Sequence, residues 1–126
     1  MKESKKTLIN MVNHLLKGTT IEEIKKKRGG LLKYPIYMSK EFMETDVTEL
    51  DLSPRSYNCL KRAGFDRVGI LVDNMEGRED LLKIRNLGKK SADEIMTHIF
   101  LFQFSLLSSE RQITYLHRLK ELNGVL

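Results

Sequence analysis

The chain has 126 residues, which is enough for one domain with short appendages. Its 40% hydrophobic and 31% charged content is ordinary for a globular protein, and its single cysteine excludes an intrachain disulfide. The longest apolar run, residues 99–107, is too short to cross a bilayer, and the first residues do not resemble a secretory signal. We therefore expect a cytoplasmic protein without a membrane partner.

The net charge of +5 is unevenly distributed along the sequence. Residues 1–40 contain 10 Lys and Arg against 3 Asp and Glu, whereas residues 41–103 contain 9 against 12. A basic segment is either a solvated surface or a region that attracts nucleic acid without sequence specificity. The sequence leaves both interpretations open for the N-terminal part.

Two helices are predicted in the N-terminal part. Residues 7–17 have apolar side chains at helical spacing, and Thr20 with Glu23 forms a capping box for a second helix that ends at Gly29–Gly30. This pair resembles the opening of a helix-turn-helix, but Pro35 would break the expected recognition helix. The alternative is a helical hairpin that packs on the main domain or on a partner. An extended segment and a short helix from Ser39 then lead into the main domain.

Residues 49–100 contain one local pattern twice. LKRAGF at 60–65 and IRNLGK at 84–89 each end a helix in a short hairpin, with Gly64 and Gly88 in the same place. We expect both glycines to supply the positive φ of a tight reversal. Lys89, Lys90 and Ser91 open the next helix, where free backbone N–H groups and the helix dipole favour an anion such as phosphate.

The runs LSPRSYNCLKRAG and LLKIRNLGKKSADEI closely resemble the C-terminal domain of the bacterial RNA polymerase alpha subunit, a pair of helix-hairpin-helix motifs. The resemblance covers about residues 47–100 and implies an all-α fold, extended here by helices at both termini. We expect a helical extension at 1–46, the hairpin domain at 47–103 and an apolar segment with a helix at 104–126. The protein resembles a free-standing relative that lacks the assembly domain of the alpha subunit.

The resemblance also implies a function and a site. It predicts a non-enzymatic DNA-binding protein of transcription, located at the nucleoid, with Arg55 in the minor groove of A/T-rich DNA and Glu94 orienting the basic residues. Acidic residues at Glu49 and Asp51 lie where the family contacts regulators. The DNA-contacting residues that it implies are Arg55, Asn58, Cys59, Lys61, Asn86, Gly88, Lys90 and Ser91. Cys59 also fits a small buried position.

Helix signals elsewhere complete the predicted architecture. Ser53–Pro54 begins a helix that runs to about Arg62, and further helices are expected at 66–74, at 79–84 and from Lys89. Ser109 with Gln112 caps a last helix that ends at Asn123–Gly124. The apolar residues before this last helix must be buried. We expect them to pack on the N-terminal helices or to form a homodimer or partner surface.

Catalysis finds little support in the sequence. His14, His98 and His117 have no metal-ligand spacing with Cys59, and no phosphate-loop motif is present, so we expect no cofactor. The expected partners are A/T-rich double-stranded DNA and RNA polymerase or a transcription factor. The alternative is an adaptor or decoy that binds a polymerase subunit or regulator without significant DNA binding.

Overall fold

A computed structural model describes residues 4–125. These residues form eight α-helices and one 3-10 helix, Val47–Leu50, together with an isolated antiparallel bridge between Asp46 and Arg67. The predicted all-α fold is therefore confirmed. The helices are α1 (Lys5–Leu16), α2 (Ile21–Lys27), α3 (Lys40–Glu44), α4 (Pro54–Arg62), α5 (Val68–Asp73), α6 (Arg78–Leu82), α7 (Lys89–Ser105) and α8 (Ser109–Leu122).

The protein divides into two compact units. Unit 1 contains the described residues up to 36 together with those from 100 onward, and unit 2 contains residues 37–99. The division therefore falls before α3 and inside α7, whereas the sequence interpretation placed the boundaries after residues 46 and 103. No helix among residues 4–125 has both the length and the apolar character needed to cross a membrane.

Unit 1 is built around an apolar core that joins the two ends of the sequence. Aromatic side chains lie at its centre: the rings of Phe100 and Tyr115 stack with centroids 5.9 Å apart, and the Tyr115 hydroxyl donates to the Pro35 carbonyl at 2.8 Å. The apolar C-terminal segment thus packs with the N-terminal helices. The buried residues of this core are Leu8, Val12, Leu16, Ile21, Ile24, Leu32, Phe100, Leu101, Phe104, Tyr115, Leu116 and Leu119.

The C-terminal end of α8 is held by polar contacts to two other segments of unit 1. The buried Asn123 amide donates to the Lys33 carbonyl at 2.7 Å and accepts from the Lys33 N–H at 3.1 Å. The Lys120 ammonium donates to the Leu16 carbonyl at 3.0 Å, at the end of α1. The ends of α1 and α8 and the segment around residue 33 are therefore neighbours.

In unit 2, α5 lies unusually close to α3. Backbone hydrogen bonds from Val47 N–H to the Asp66 carbonyl (2.9 Å) and from Val68 N–H to the Thr45 carbonyl (2.8 Å) join the segments beside the two helices. A Cβ atom placed on Gly69 would lie 2.6 Å from the Met43 carbonyl oxygen. Gly69 is thus required by space, although its φ is not left-handed.

Most helix boundaries follow the predicted signals. Thr20, Ser39 and Ser53 cap α2, α3 and α4 with their side chains, and no helix forms between residues 31 and 39, around Pro35. The start of α8 was predicted one residue too late. Its N-cap is Ser108, which accepts from the Arg111 N–H, and Ser109 is the first helical residue.

Candidate nucleic-acid interface

Helix α4 separates a buried face from an exposed one. Its buried residues are Ser56, Cys59 and Leu60, and Arg55, Asn58 and Arg62 are all exposed. The spacing of the exposed residues, i, i+3 and i+7, places them along one side of the helix. No side chain among residues 4–125 pairs with the Arg55 guanidinium, so this cation is available to a ligand.

The N-terminus of α4 is fixed to α7 by a single carboxylate. One oxygen of Glu94 accepts from the Ser53 N–H at 3.0 Å, and the other accepts from the Ser53 hydroxyl at 2.9 Å and from the Ser56 hydroxyl. Burial tends to raise the pKa of Glu94, but the hydrogen bonds from Ser56 and Ser53 outweigh it and lower the pKa. The carboxylate therefore stays charged and holds the helix turn that carries Arg55.

A second contact joins α4 to the hairpin before α7. Cys59 is 4% exposed, and its thiol donates to the Asn86 carbonyl at 3.5 Å. Its side chain is buried, so a contact of Cys59 with DNA would have to come from its backbone and stays a prediction. Its position is consistent with the small-filler interpretation. Its contribution to the surface is to fix the hairpin backbone beside α4.

The two hairpins reverse the backbone in different ways. In the first, Gly64 has φ +87°, and the Phe65 N–H bonds back to the Leu60 carbonyl at 3.0 Å, as predicted. In the second, Asn86 takes the left-handed conformation, with φ +66°, and Gly88 does not. The prediction of a positive φ at Gly88 was therefore wrong. Asn is one of the few residues that tolerate this conformation.

The start of α7 is open and positively charged. Lys89 and Lys90 are exposed, Ser91 is only 8% exposed, and a Cβ atom on Gly88 would meet nothing within 4 Å. Lysines at the positive end of a helix dipole are unfavourable for the helix itself, by about 0.3–1 kcal/mol each. An anion bound at this end would remove that penalty, whereas a role limited to reversing the backbone does not require the lysines.

Lys61 lies near the C-terminal end of α4, and the predicted acidic contact residues Glu49 and Asp51 lie in and just after the 3-10 helix. The Lys61 ammonium forms an ion pair with Asp66 at 3.0 Å and lies 5.9 Å from the centre of the Tyr57 ring. The hydrogen bond with Asp66 raises the pKa of Lys61. Glu49 and Asp51 are exposed in and after the 3-10 helix, where Asp51 adopts a left-handed φ of +53°.

The contacts of α4 with Glu94 and with the hairpin define one surface of unit 2. We refer to its exposed members, Arg55, Asn58, Asn86, Gly88 and Lys90, as the hairpin surface. It offers a guanidinium, two amides, an ammonium and open backbone, which suit a polyanion with polar base edges. Within the part of the protein that the structure describes, no three His, Cys, Asp or Glu side chains are grouped to hold a metal ion.

Residues 37–99 match the family model for the C-terminal domain of the alpha subunit of bacterial RNA polymerase. The chain belongs to this family. The match begins ten residues before the predicted domain start of 47, and it coincides with unit 2. α3 is therefore part of the alpha C-terminal domain, and unit 1 lies outside the match.

Three curated relatives show the extent of the similarity, and each is a DNA-directed RNA polymerase subunit alpha. The protein of Symbiobacterium thermophilum is 50% identical over 66 residues, which cover 52% of this chain and 20% of the relative. That of Moorella thermoacetica is 52% identical over 68 residues, covering 54% and 21%. That of Oceanobacillus iheyensis is 54% identical over 56 residues, covering 44% and 17%. The aligned region thus spans about a fifth of each alpha subunit.

The alpha C-terminal domain family is DNA-binding, acts in transcription and is a non-catalytic part of the polymerase. This agrees with the predicted class of the protein. Two features of the hairpin surface were not predicted from sequence, namely the hydrogen bonds from Ser53 and Ser56 to Glu94 and the left-handed Asn86. The residue type of Asn86 was a usable signal. The hydrogen bond from Ser56 to Glu94 had no signal in the sequence, because it joins positions 38 residues apart.

Proposed function

We propose that this protein binds double-stranded DNA in transcriptional control, with Arg55 entering the minor groove of A/T-rich sequence. The observation that carries the proposal is the position of Arg55. It is exposed and unpaired among the described residues, on a helix turn that Glu94 anchors to α7. A guanidinium held in place on a rigid turn loses little conformational entropy when it binds.

The proposed contacts divide between groove and backbone. A narrow A/T-rich minor groove has an enhanced negative potential that favours an inserted arginine, and Asn58 can exchange hydrogen bonds with base edges or sugar. Asn86, the backbone at Gly88 and Lys90 contact phosphates. Ser91 is nearly buried, so we assign it a backbone contact. Lys61 contributes only a small part of the positive charge, because its ammonium is paired with Asp66.

Local placement of charge supports this division better than bulk charge does. Unit 2 contains 10 Lys and Arg against 12 Asp and Glu, a net charge of −2. Long-range attraction of DNA to this unit is therefore weak, and its affinity must come from the few cations of the hairpin surface.

The biological setting of the proposal follows from the family. We propose a non-enzymatic accessory factor at promoters, in the cytoplasm at the nucleoid, that acts without a cofactor. The exposed carboxylates of Glu49 and Asp51 are the proposed contact to RNA polymerase or a regulator. We do not propose a homodimer through the C-terminal segment, because its large apolar residues Phe104 and Tyr115 are buried in the core of unit 1. The same burial removes the main reason for proposing an adaptor without DNA binding.

Fluorescence anisotropy with three duplexes tests the groove assignment. An A-tract, a G·C duplex and an inosine·C duplex of equal length are compared. Inosine·C keeps the polar major-groove pattern of G·C but lacks the guanine 2-amino group in the minor groove. The proposal predicts that the A-tract and inosine·C duplexes bind more tightly than G·C. Equal binding of inosine·C and G·C, both weaker than the A-tract, would contradict minor-groove recognition.

A further inference from the structure

Most of the positive charge of the protein lies outside the hairpin surface. The described residues of unit 1, 4–36 and 100–125, contain 11 Lys and Arg against 4 Asp and Glu, a net charge of +7, compared with −2 for unit 2. This unit also lies outside the family match. Its charge is therefore a property that the proposed function of the hairpin surface does not explain.

Three lysines of unit 1 belong to segments that contact one another where α1 and α8 end. The Lys120 ammonium donates to the Leu16 carbonyl, one residue before Lys17, and the Asn123 amide pairs with both backbone groups of Lys33. Lys120 lies in the last turn of α8 and Asn123 is the C-cap of that helix, so the segments that carry Lys17 and Lys33 both contact the end of α8. We call Lys17, Lys33 and Lys120 the basic rim.

The two outer lysines of the basic rim are free to bind a ligand. Lys17 and Lys33 are exposed, and no carboxylate among the described residues pairs with either side chain. The acidic residue nearest to Lys120 along α8 is Glu121, and its carboxylate oxygen lies 3.9 Å from Nε2 of His117. The rim therefore carries cations that intramolecular ion pairs do not neutralise.

Lys17 also has an unusual backbone conformation. Lys17 ends α1 with φ +51°, in the left-handed region, and Gly18 follows it with φ +100°. A non-glycine residue other than Asn or Asp is unusual in this conformation, which costs of the order of 1 kcal/mol. Glycine or asparagine at position 17 would satisfy the fold at lower cost. A lysine at this negative end of the helix dipole stabilises the helix by about 0.3–1 kcal/mol, which offsets part of that cost, so it is the exposure of its ammonium that supports a ligand.

We propose that the basic rim of unit 1 is a second DNA-binding surface, which contacts the phosphates of duplex DNA without reading sequence. The ligand chemistry is a row of phosphodiesters, because the side chains that define the rim are ammonium groups, which pair with phosphates and do not distinguish bases. The inference rests on the proposed function in one respect, namely that the polyanion is double-stranded DNA. One protein then carries two surfaces that bind the same class of polyanion.

The test uses the full-length protein with the double variant Lys17→Asn/Lys33→Gln. Asparagine keeps the left-handed backbone at position 17, so the melting temperature should not fall. We expect a loss of affinity of roughly fivefold to tenfold per lysine at about 0.1 M salt, and a decrease of about 2 in the slope of log K against log salt. The loss should be equal on the A-tract and on the G·C duplex, as measured by anisotropy.

The matched control is Lys5→Gln/Lys6→Gln, which removes two charges from the opposite end of α1, roughly 16 Å away. If this control lowers affinity as much as the rim variant, bulk charge and not the rim is responsible, and the proposal is overturned. Unchanged affinity and slope for the rim variant would also overturn it. So would rim-dependent binding to vesicles of anionic phosphatidylglycerol combined with rim-independent binding to DNA, because the surface would then serve a membrane.

Arg55→Ala separates the two proposals. If Arg55→Ala loses the preference for the A-tract and the rim variant keeps the wild-type salt slope, the minor-groove proposal stands and the rim proposal fails. If the rim variant has a reduced salt slope and Arg55→Ala keeps the full preference for the A-tract, the rim proposal stands and the minor-groove proposal fails.

Discussion

Glu94 accepts hydrogen bonds from both the backbone N–H and the hydroxyl of Ser53, one on each carboxylate oxygen, at 3.0 and 2.9 Å. Ser53 is the N-cap of α4, so the side chain of one helix fixes the first turn of another. Arg55 lies two residues further on. The geometry of the hairpin surface therefore depends on a residue that contacts no ligand in our proposal.

Replacing Glu94 by alanine should weaken both folding and DNA binding. The Ser56 hydroxyl is fully buried and would lose its acceptor, which costs about 1–3 kcal/mol of unfolding free energy. DNA affinity should fall by more than that of the control Asp73→Ala, which removes an exposed carboxylate from the end of α5. Urea denaturation and anisotropy measure the two effects. A Glu94→Ala protein with wild-type affinity and stability would contradict a positioning role.

The stability of the protein should fall in acid. The pKa of Glu94 is lowered below its ordinary value of 4.5 in the folded state, so its contribution is complete above that value and is lost as the pH falls through the folded pKa. The pKa values of Asp46 and Asp80 are lowered by backbone hydrogen bonds from Thr48 and Glu76 and act in the same direction. The free energy of unfolding should therefore decline as the pH falls from about 5 toward 3.

Glu94→Gln provides the control for that decline. The variant cannot titrate at position 94, so its unfolding free energy should depend less steeply on pH than that of the wild type. The difference between the two proteins should shrink as the pH falls below 4.5. If the unfolding free energies of the two proteins change in parallel from about pH 6 to pH 3, the hydrogen bonds of the Glu94 carboxylate contribute nothing to the pH dependence.

Substitutions at Asn86 should separate backbone conformation from DNA contact. Glycine accepts the left-handed φ of +66°, so Asn86→Gly should keep wild-type stability, whereas Asn86→Ala should lose about 1 kcal/mol. Both variants remove the side-chain amide and should weaken DNA binding. Thermal denaturation and anisotropy distinguish the effects. Equal stability of the Gly and Ala variants would argue against the left-handed hairpin.

Gly69→Ala should destabilise unit 2 through overpacking. The new Cβ atom would lie 2.6 Å from the Met43 carbonyl oxygen, which is backbone and cannot rotate away. We expect a loss of about 1–3 kcal/mol in urea denaturation. Gly77→Ala is the matched control, because its φ of −174° suits any residue and its Cβ atom would meet only the flexible Glu79 carboxylate, at 3.4 Å. A loss as large for Gly77→Ala would contradict the steric explanation.

Signals that act over a few residues were readable from the sequence. Ser53–Pro54 and the Thr20 cap mark true helix starts, and Gly64 takes the expected left-handed turn. Such signals depend on chemistry within one helical turn, where sequence spacing fixes geometry. Their failure at Gly88 is also local, because Asn86, two residues earlier, can adopt the same conformation and does so.

Contacts between distant segments were not readable in the same way. The hydrogen bond from Ser56 to Glu94, the thiol contact from Cys59 to the Asn86 carbonyl and the close approach of Gly69 to Met43 all join different helices or hairpins. Spacing within one segment does not encode such pairs. The buried face of α4 includes Cys59, and the position of Cys59 next to Asn58 in the sequence gives no sign of its thiol contact to the hairpin.

Binding of Arg55→Ala to an A-tract duplex across a salt series tests the central claim most directly. Arg55 is exposed and unpaired among the described residues, so the variant should fold with wild-type stability. Arg111→Ala, which removes an exposed arginine from α8, controls for charge. We predict that Arg55→Ala abolishes the preference for the A-tract over G·C and that Arg111→Ala retains it. Full A-tract affinity and preference in a folded Arg55→Ala protein would contradict minor-groove binding by this surface.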